Sequence, residues 1–306
     1  MINIERMSDD NKTIYYWSDI KCNCKIQIFQ KDKILFASEM ILEPNIQYYT
    51  SWFTNWYDKE VIFETDTNKQ KFTILGNNKF FNLEKNSNFV QEVNLIEETE
   101  LCEIMSEFGS DKSSKKINLN LPGHNYTKFY SQIFENIRRK NMNIFELGLG
   151  TNNPNLESNM TESGKPGASL YGWKKYFNNS KIYGADIDTD ILFDDLDIKT
   201  FYCDQTNPKI IKQLWNQKDL DFDFDIIIED GLHSFEANKT FLESSLHKIK
   251  SGGFYIIEDV IIDELPRWCQ YFEFFEKNFF GFEIKFIKLN YSQNNYDNNL
   301  ILIKRV

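Results

Sequence analysis

The sequence predicts an α/β protein in which a mostly parallel, helix-covered sheet ends in an antiparallel edge hairpin and follows a small β-rich domain. Three observations predict it. From about Tyr126 onward, short apolar runs suited to buried strands alternate with amphipathic helical stretches, the order that a parallel sheet with helical crossovers requires. The last two runs, residues 282–289 and 299–304, are separated only by a short polar turn, which suits an antiparallel pair. Before about residue 95, β-branched and aromatic residues instead alternate with polar ones in short runs, the pattern of strands with one buried face.

In the N-terminal region the runs at 24–29, 61–64 and 71–75 read as strands of a small antiparallel sheet or sandwich. Residues 46–56, with Tyr48, Tyr49, Trp52, Phe53 and Trp56, form its most aromatic stretch. Such rings can stack on sugars, but they serve more often as core and rim of a small β-domain, and that reading is preferred. Residues 86–93 read as a polar bridge, and 97–108 as a short acidic helix with Leu101, Cys102, Ile104, Met105 and Phe108 on its apolar positions. The expected domains are therefore 1–95 and 96–306. Within the second, 126–141 reads as a helix and 143–147 as a buried strand. A helix at 169–177 leads to a strand at 182–185 that ends in Asp186, and the strand at 200–203 ends in Asp204. A helix at 207–215 carries Pro208 in its first turn. The strand at 224–228 ends in Glu229-Asp230, and a helix at 234–246 follows. The strand at 253–257 ends in Glu258-Asp259, and an aromatic helix follows at 266–279. With the closing pair, the sheet has seven strands.

A chain of 306 residues with 41% hydrophobic residues, 27 Phe and 15 Tyr can bury a large core. The net charge of −11, without a run of Lys and Arg, argues against a nucleic-acid partner, which needs a local positive field. A neutral or cationic small molecule, or a sugar or glycan, fits this balance better. The N-terminal residues lack the basic-then-apolar order of a signal peptide, and no stretch approaches the roughly 18–20 apolar residues of a membrane span. The expected location is the cytoplasm. Cys22, Cys24, Cys102, Cys203 and Cys269 have no zinc-site spacing and read as reduced thiols. Self-association into a homo-oligomer is left open.

Ligands of open α/β sheets bind beyond the carboxyl ends of the strands. Glu146, Asp186, Asp204, Asp230 and Glu258-Asp259 all fall there. One such acid is commonly a helix cap. Five together would repel one another, so they ask for a hydroxyl- and amine-rich ligand, a metal ion, or both. After the first strand, Glu146-Leu147-Gly148-Leu149-Gly150 permits a sharp turn and close backbone approach. No third glycine and no immediate helix follow, which disfavours NAD. Asp186 is placed to bind both hydroxyls of a ribose, and Asp204-Gln205 to meet an adenine amine.

Taken as an ordered set, these motifs resemble the class I S-adenosylmethionine-dependent methyltransferases, and within them the metal-dependent sugar O-methyltransferases of macrolide tailoring. Gly109-Ser110-Asp111-Lys112, His124-x-Tyr126, Gly167-Ala168-Ser169-Leu170-x-x-Trp173, Asp230-Gly231-Leu232-His233 and Ile257-Glu258-Asp259 add to the resemblance, which covers residues 101–306. It implies a Rossmann-like sheet, S-adenosyl-L-methionine as cofactor, and cofactor contacts from Glu146, Gly148, Gly150, Ser169, Asp186, Asp204, Gln205 and Tyr126. It also implies Mg2+ held by Asp230, Glu258 and Asp259, three hard oxygen donors of the kind Mg2+ prefers, and His233 as general base beside Asp230. The family's usual Asp-Asp-Gly before the His is here Glu229-Asp230-Gly231; Glu229 is expected to stand behind the ligands. His247, late on a helix, reads as a dipole partner. His124 either orders the 110–112 loop or closes a turn. Residues 151–166 are long for a strand-to-helix loop and read as a lid over cofactor and acceptor. The expected activity is methylation of a sugar hydroxyl on a glycan, nucleotide sugar or glycosylated metabolite. Two alternatives stay open: a non-sugar acceptor, and a non-catalytic glycan- or protein-binding module.

Overall fold

A computed structural model describes residues 2–7, 13–30, 33–51, 60–67, 69–75, 79–82, 88–95, 97–115, 123–162, 164–291, 293–294 and 296–306. The chain divides into two compact units, residues 1–90 and 91–306. The strands of its first part are β1 (Ile2–Met7), β2 (Thr13–Ser18), β3 (Cys22–Gln30), β4 (Lys33–Leu42), β5 (Tyr48–Ser51), β6 (Glu60–Thr65), β7 (Lys69–Leu75) and β8 (Lys79–Asn82). They form two antiparallel sheets, β1-β2-β5 and β4-β3-β6-β7-β8. Alternation selects the core: Cys24, Ile26 and Ile28 point one way along β3 and are buried, with Ile14, Tyr16, Leu42, Val61 and Phe63 around them. Of the aromatic stretch at 46–56, Tyr48 stacks on Tyr16 at 6.3 Å, while Trp52, Phe53 and Trp56 lie outside the described residues.

The second unit is built on one mixed sheet. Its elements are β9 (Val90–Asn94), α1 (Glu100–Phe108), α2 (Tyr126–Phe134), β10 (Asn143–Leu147), α3 (Ala168–Tyr176), β11 (Lys181–Asp186), β12 (Asp194–Asp195), β13 (Ile198–Tyr202), α4 (Pro208–Trp215), β14 (Phe224–Glu229), α5 (Phe235–Ser245), β15 (Ile249–Ile257), α6 (Leu265–Asn278), β16 (Phe282–Asn290) and β17 (Asn299–Arg305). The sheet order is β12-β13-β11-β10-β14-β15-β17-β16-β9. The strands from β13 to β15 pair in parallel, and β17 with β15 and β16 in antiparallel fashion. The seven expected strands are thus consecutive, and each edge carries one more. The two-residue β12 is too short to show a period. The region read as a polar bridge contains β9, which is polar because it is an edge. Lys288 pairs with Glu92 at 3.0 Å and Asn290 donates to Asn94 at 2.8 Å, each across 196 residues of chain. The helix expected over 126–141 is shorter, ending at Phe134.

Adjacent residues of β10 serve opposite faces. Ile144 joins Ile182, Ile226 and Ile256 beneath Leu101 and Met105 of α1, Tyr130 and Phe134 of α2, and Leu170 and Trp173 of α3. Phe145 meets Trp215 of α4 at 4.8 Å, Phe224 at 5.5 Å and Phe241 of α5 at 6.4 Å. The sheet is therefore covered on both sides and its open ground lies at its ends. All five cysteines are buried and free. No helix among the described residues is long and apolar enough to cross a membrane.

Because Phe145 is fully buried among aromatic rings, Phe145→Ala is expected to cost about 3–5 kcal/mol. Chemical unfolding followed by tryptophan fluorescence checks this; an unchanged midpoint would contradict the packing described.

Candidate active site

From β10 the chain proceeds outward to β11 and β13, then returns to lay β14 and β15 on the other side. The switch point between β10 and β14 leaves a crevice at the carboxyl ends of the strands. A cavity of about 360 Å³ opens there, with Glu146, Gly148, Gly150, Asp186, Asp230 and His233 among its lining residues. Gly148 (φ +86°) and Gly150 (φ +77°) adopt left-handed backbone, which glycine tolerates. At Gly148 space adds a second demand, since a Cβ would lie 1.9 Å from the Asp230 carbonyl oxygen. The turn is strapped to β11: Gly148 N–H donates to the Ala185 carbonyl at 2.8 Å and Leu149 N–H to Asp186 Oδ2 at 2.7 Å. Asp186 Oδ1 accepts from Asp188 N–H at 2.8 Å. Burial pushes the Asp186 carboxyl upward, against the pull of these N–H groups.

At the end of β10 the buried Glu146 accepts from the Ser169 hydroxyl and the Trp173 indole N–H. Asp204, just past β13, accepts from Thr206 N–H at 2.9 Å and its hydroxyl at 2.6 Å. Gln205 uses both amide atoms within the protein: Nε2 donates to Glu229 Oε1 at 3.0 Å, and Oε1 accepts from Leu232 N–H at 2.7 Å. Tyr126 stands behind the site, its hydroxyl donating to Asp259 Oδ1 at 2.6 Å, and it is not among the residues lining the cavity.

The remaining acids are strung together by two basic side chains. Lys112 Nζ reaches Glu258 Oε2, Asp230 Oδ2 at 2.5 Å and Glu146 Oε1 at 3.7 Å. His233 then bridges Asp230 Oδ1 (Nε2, 3.3 Å) and Asp259 Oδ2 (Nδ1, 3.4 Å). Donor atoms of Asp230, His233 and Asp259 lie within 4.8 Å of one another, a spacing that could hold a metal ion. Glu258, expected beside them, turns its other oxygen to the Tyr130 hydroxyl at 2.5 Å. Burial pushes the Glu258 and Glu146 carboxyls upward while Lys112 pulls them down. Burial opposes charge on Asp230 too, but Lys112 and His233 outweigh it and hold the carboxyl well below its usual range. For His233, burial would favour the neutral ring; Asp259 and Asp230 overcome it and raise the pKa to about 10. His233 (φ +57°) and Asp259 (φ +53°) are both in left-handed backbone, and strained residues of this kind collect at functional sites.

Residues 151–162 and 164–166 fold back against the cavity. Asn155, Leu156, Ser158 and Met160 line it, Met160 N–H donates to the Thr151 carbonyl at 2.8 Å, and Asn152 Nδ2 to the Gly164 carbonyl at 3.1 Å. His124 lies 3.5 Å from Asp259 and stacks on Tyr126 at 4.6 Å. His247 sits in a 3-10 turn that leads into β15, at the opposite end of the sheet. Lys112 is the residue that reading the acids alone leaves without a role. Its signal was their number: converging carboxylates need an internal cation, and Lys112 is the basic residue of the Gly109–Lys112 motif.

Sheet order and site together define the class that this unit resembles, the class I S-adenosylmethionine-dependent methyltransferases. Among curated proteins the chain is similar to demethylmacrocin O-methyltransferase of Streptomyces fradiae, at 31% identity over 45% of this chain and 32% of that one. It is also similar to the 8-demethyl-8-alpha-L-rhamnosyl tetracenomycin-C 2'-O-methyltransferase of Streptomyces olivaceus, at 28% over 47% and 35%. The chain thus spans about a third of the length of the curated relatives it matches. Among solved structures it resembles the MycE methyltransferase of the mycinamycin pathway in complex with Mg and SAH, at 26% identity and a TM-score of 0.43, covering 59% of this chain and 40% of that one. No protein-family model matches the chain.

Lys112 is 2% exposed among three carboxylates. Lys112→Met is therefore expected to cost about 3–5 kcal/mol, because it leaves buried charge without a partner. Denaturant titration checks this; stability equal to wild type would mean that the acids are balanced by something else.

Proposed function

We propose that the α/β unit carries out S-adenosylmethionine-dependent, Mg2+-dependent O-methylation of a sugar hydroxyl, on a glycan, nucleotide sugar or glycosylated metabolite. The observation that carries this reading is that the strapped glycine turn and the Asp230–His233–Asp259 group face one cavity. A cofactor on the turn and an acceptor at the acids would then be neighbours, which methyl transfer requires: the methyl is already activated, and the protein has only to orient the acceptor oxygen and remove its proton.

On the cofactor side we assign Glu146, Gly148, Gly150, Ser169, Asp186 and Asp204. Asp186 gives each carboxylate oxygen to one backbone N–H and keeps further lone pairs for ribose hydroxyls. On the acceptor side, Asp230 and Asp259 are the carboxylates that would hold the ion, with Glu258 as a third donor should it leave Lys112. The carboxylate oxygens fit, being hard donors, and the His233 imidazole beside them is left for the acceptor hydroxyl. Mg2+ supplies Lewis acidity that makes a sugar hydroxyl easier to deprotonate. His233 is the base in this reading. It accepts the hydroxyl proton only once Asp230 and Asp259 have another positive partner, because their pull otherwise keeps the imidazole charged.

Isothermal titration with S-adenosylhomocysteine is expected to show one site per chain; its absence would sink the methyltransferase reading. With a panel of nucleotide sugars and glycosides, turnover should stop in EDTA and return with Mg2+. Activity indifferent to chelation would remove the ion. His233→Ala should lower turnover by about 10²–10⁴-fold, the usual contribution of a general base, with cofactor affinity retained. Full activity in that variant would place the base elsewhere.

A further inference from the structure

Gln205, 7% exposed in the turn past β13, lines the cavity, yet its amide is committed to the protein. One end is held by Glu229 Oε1 at 3.0 Å and the other accepts from Leu232 N–H at 2.7 Å. The same Glu229 oxygen accepts from Gly231 N–H at 3.3 Å. The pair therefore grips the N–H groups of both residues between Asp230 and His233. The Leu232 carbonyl is taken as well, by the Ser158 hydroxyl at 3.3 Å. The grip depends on glycine at 231, where a Cβ would lie 1.7 Å from Gln205 Oε1. His233 is the next residue after this clamped turn, at φ +57°, a conformation that a non-glycine residue keeps only where its surroundings over-determine it.

We infer that Gln205, held by Glu229, is a positioning residue that fixes the Gly231-Leu232 turn and so aims the His233 imidazole between Asp230 and Asp259. The inference rests on reading the cavity as a methyl-transfer site, and it moves Gln205 from the adenine of the cofactor to the loop that carries the base. It also gives the unusual Glu229 a purpose: its longer side chain reaches Gln205 in the turn past β13.

The chain has three histidines, so the imidazole proton–carbon resonances of the full-length, metal-free protein can be assigned with single His→Gln variants. In Gln205→Leu the His233 resonance is expected to shift or broaden while that of His247, at the far end of the sheet, stays in place. Affinity for S-adenosylhomocysteine should remain within about twofold, since no cofactor hydrogen bond is removed. Glu229→Gln keeps an acceptor oxygen for Gln205 and Gly231 and should move the His233 resonance less than Glu229→Leu, which should repeat the Gln205→Leu effect. An unmoved His233 resonance in Gln205→Leu overturns the inference whatever the affinity does. If affinity meanwhile falls about tenfold, the size of one lost hydrogen bond, Gln205 returns to the adenine. Should Gln205→Leu not fold, Gln205→Asn breaks the same bridge by shortening it and is read in the same way. Failure of the wild-type chain to bind S-adenosylhomocysteine would overturn the methyltransferase reading instead, because the His233 comparison is made without cofactor.

Discussion

Everything at this site derives from the difficulty of keeping carboxylates together away from water. Three adjacent strands, β10, β14 and β15, deliver Glu146, Glu229-Asp230 and Glu258-Asp259 to one end of the sheet. Each would pull its neighbours toward protonation. The protein answers with Lys112 and His233, threaded between the acids in the order Glu258, Lys112, Asp230, His233, Asp259. Glu229 lies outside that chain, and burial raises its pKa to about 7. A buried charge network of this kind adds little net stability.

The same constraint explains the backbone. Gly148 must be glycine because the turn after β10 passes over the Asp230 carbonyl, and a side chain at Gly231 would displace the Gln205 amide from the loop after β14. These two close approaches pack the cofactor side and the acceptor side against each other. His233 and Asp259, held in left-handed backbone, are where the chain bends to bring their side chains together.

The acids were legible because each ends an apolar strand, a signal local in sequence. The Gly-x-Gly turn and the paired closing strands were legible for the same reason. What could not be read was set by long-range packing. Lys112 meets Asp230 across 118 residues and Glu258 across 146, so its burial is set by contacts distant in sequence. Gln205 carried an adenine reading by its place after a strand, but only the fold shows Glu229 and Leu232 taking both ends of its amide. Tyr126 belonged to a motif with His124, and the structure sets both rings against Asp259. The edge strand β9 was hidden because an exposed strand lacks the apolar run that marks a buried one.

Manganese is a hard, octahedral stand-in for magnesium with a usable anomalous signal. Crystals of the full chain grown with Mn2+ and S-adenosylhomocysteine would therefore test most directly whether cofactor and cation share this cavity. One anomalous peak is expected in contact with Asp230 and Asp259, and the nucleoside over the Gly148–Gly150 turn with its ribose on Asp186. An ion bound away from these carboxylates, or a cofactor lodged elsewhere, would contradict this arrangement.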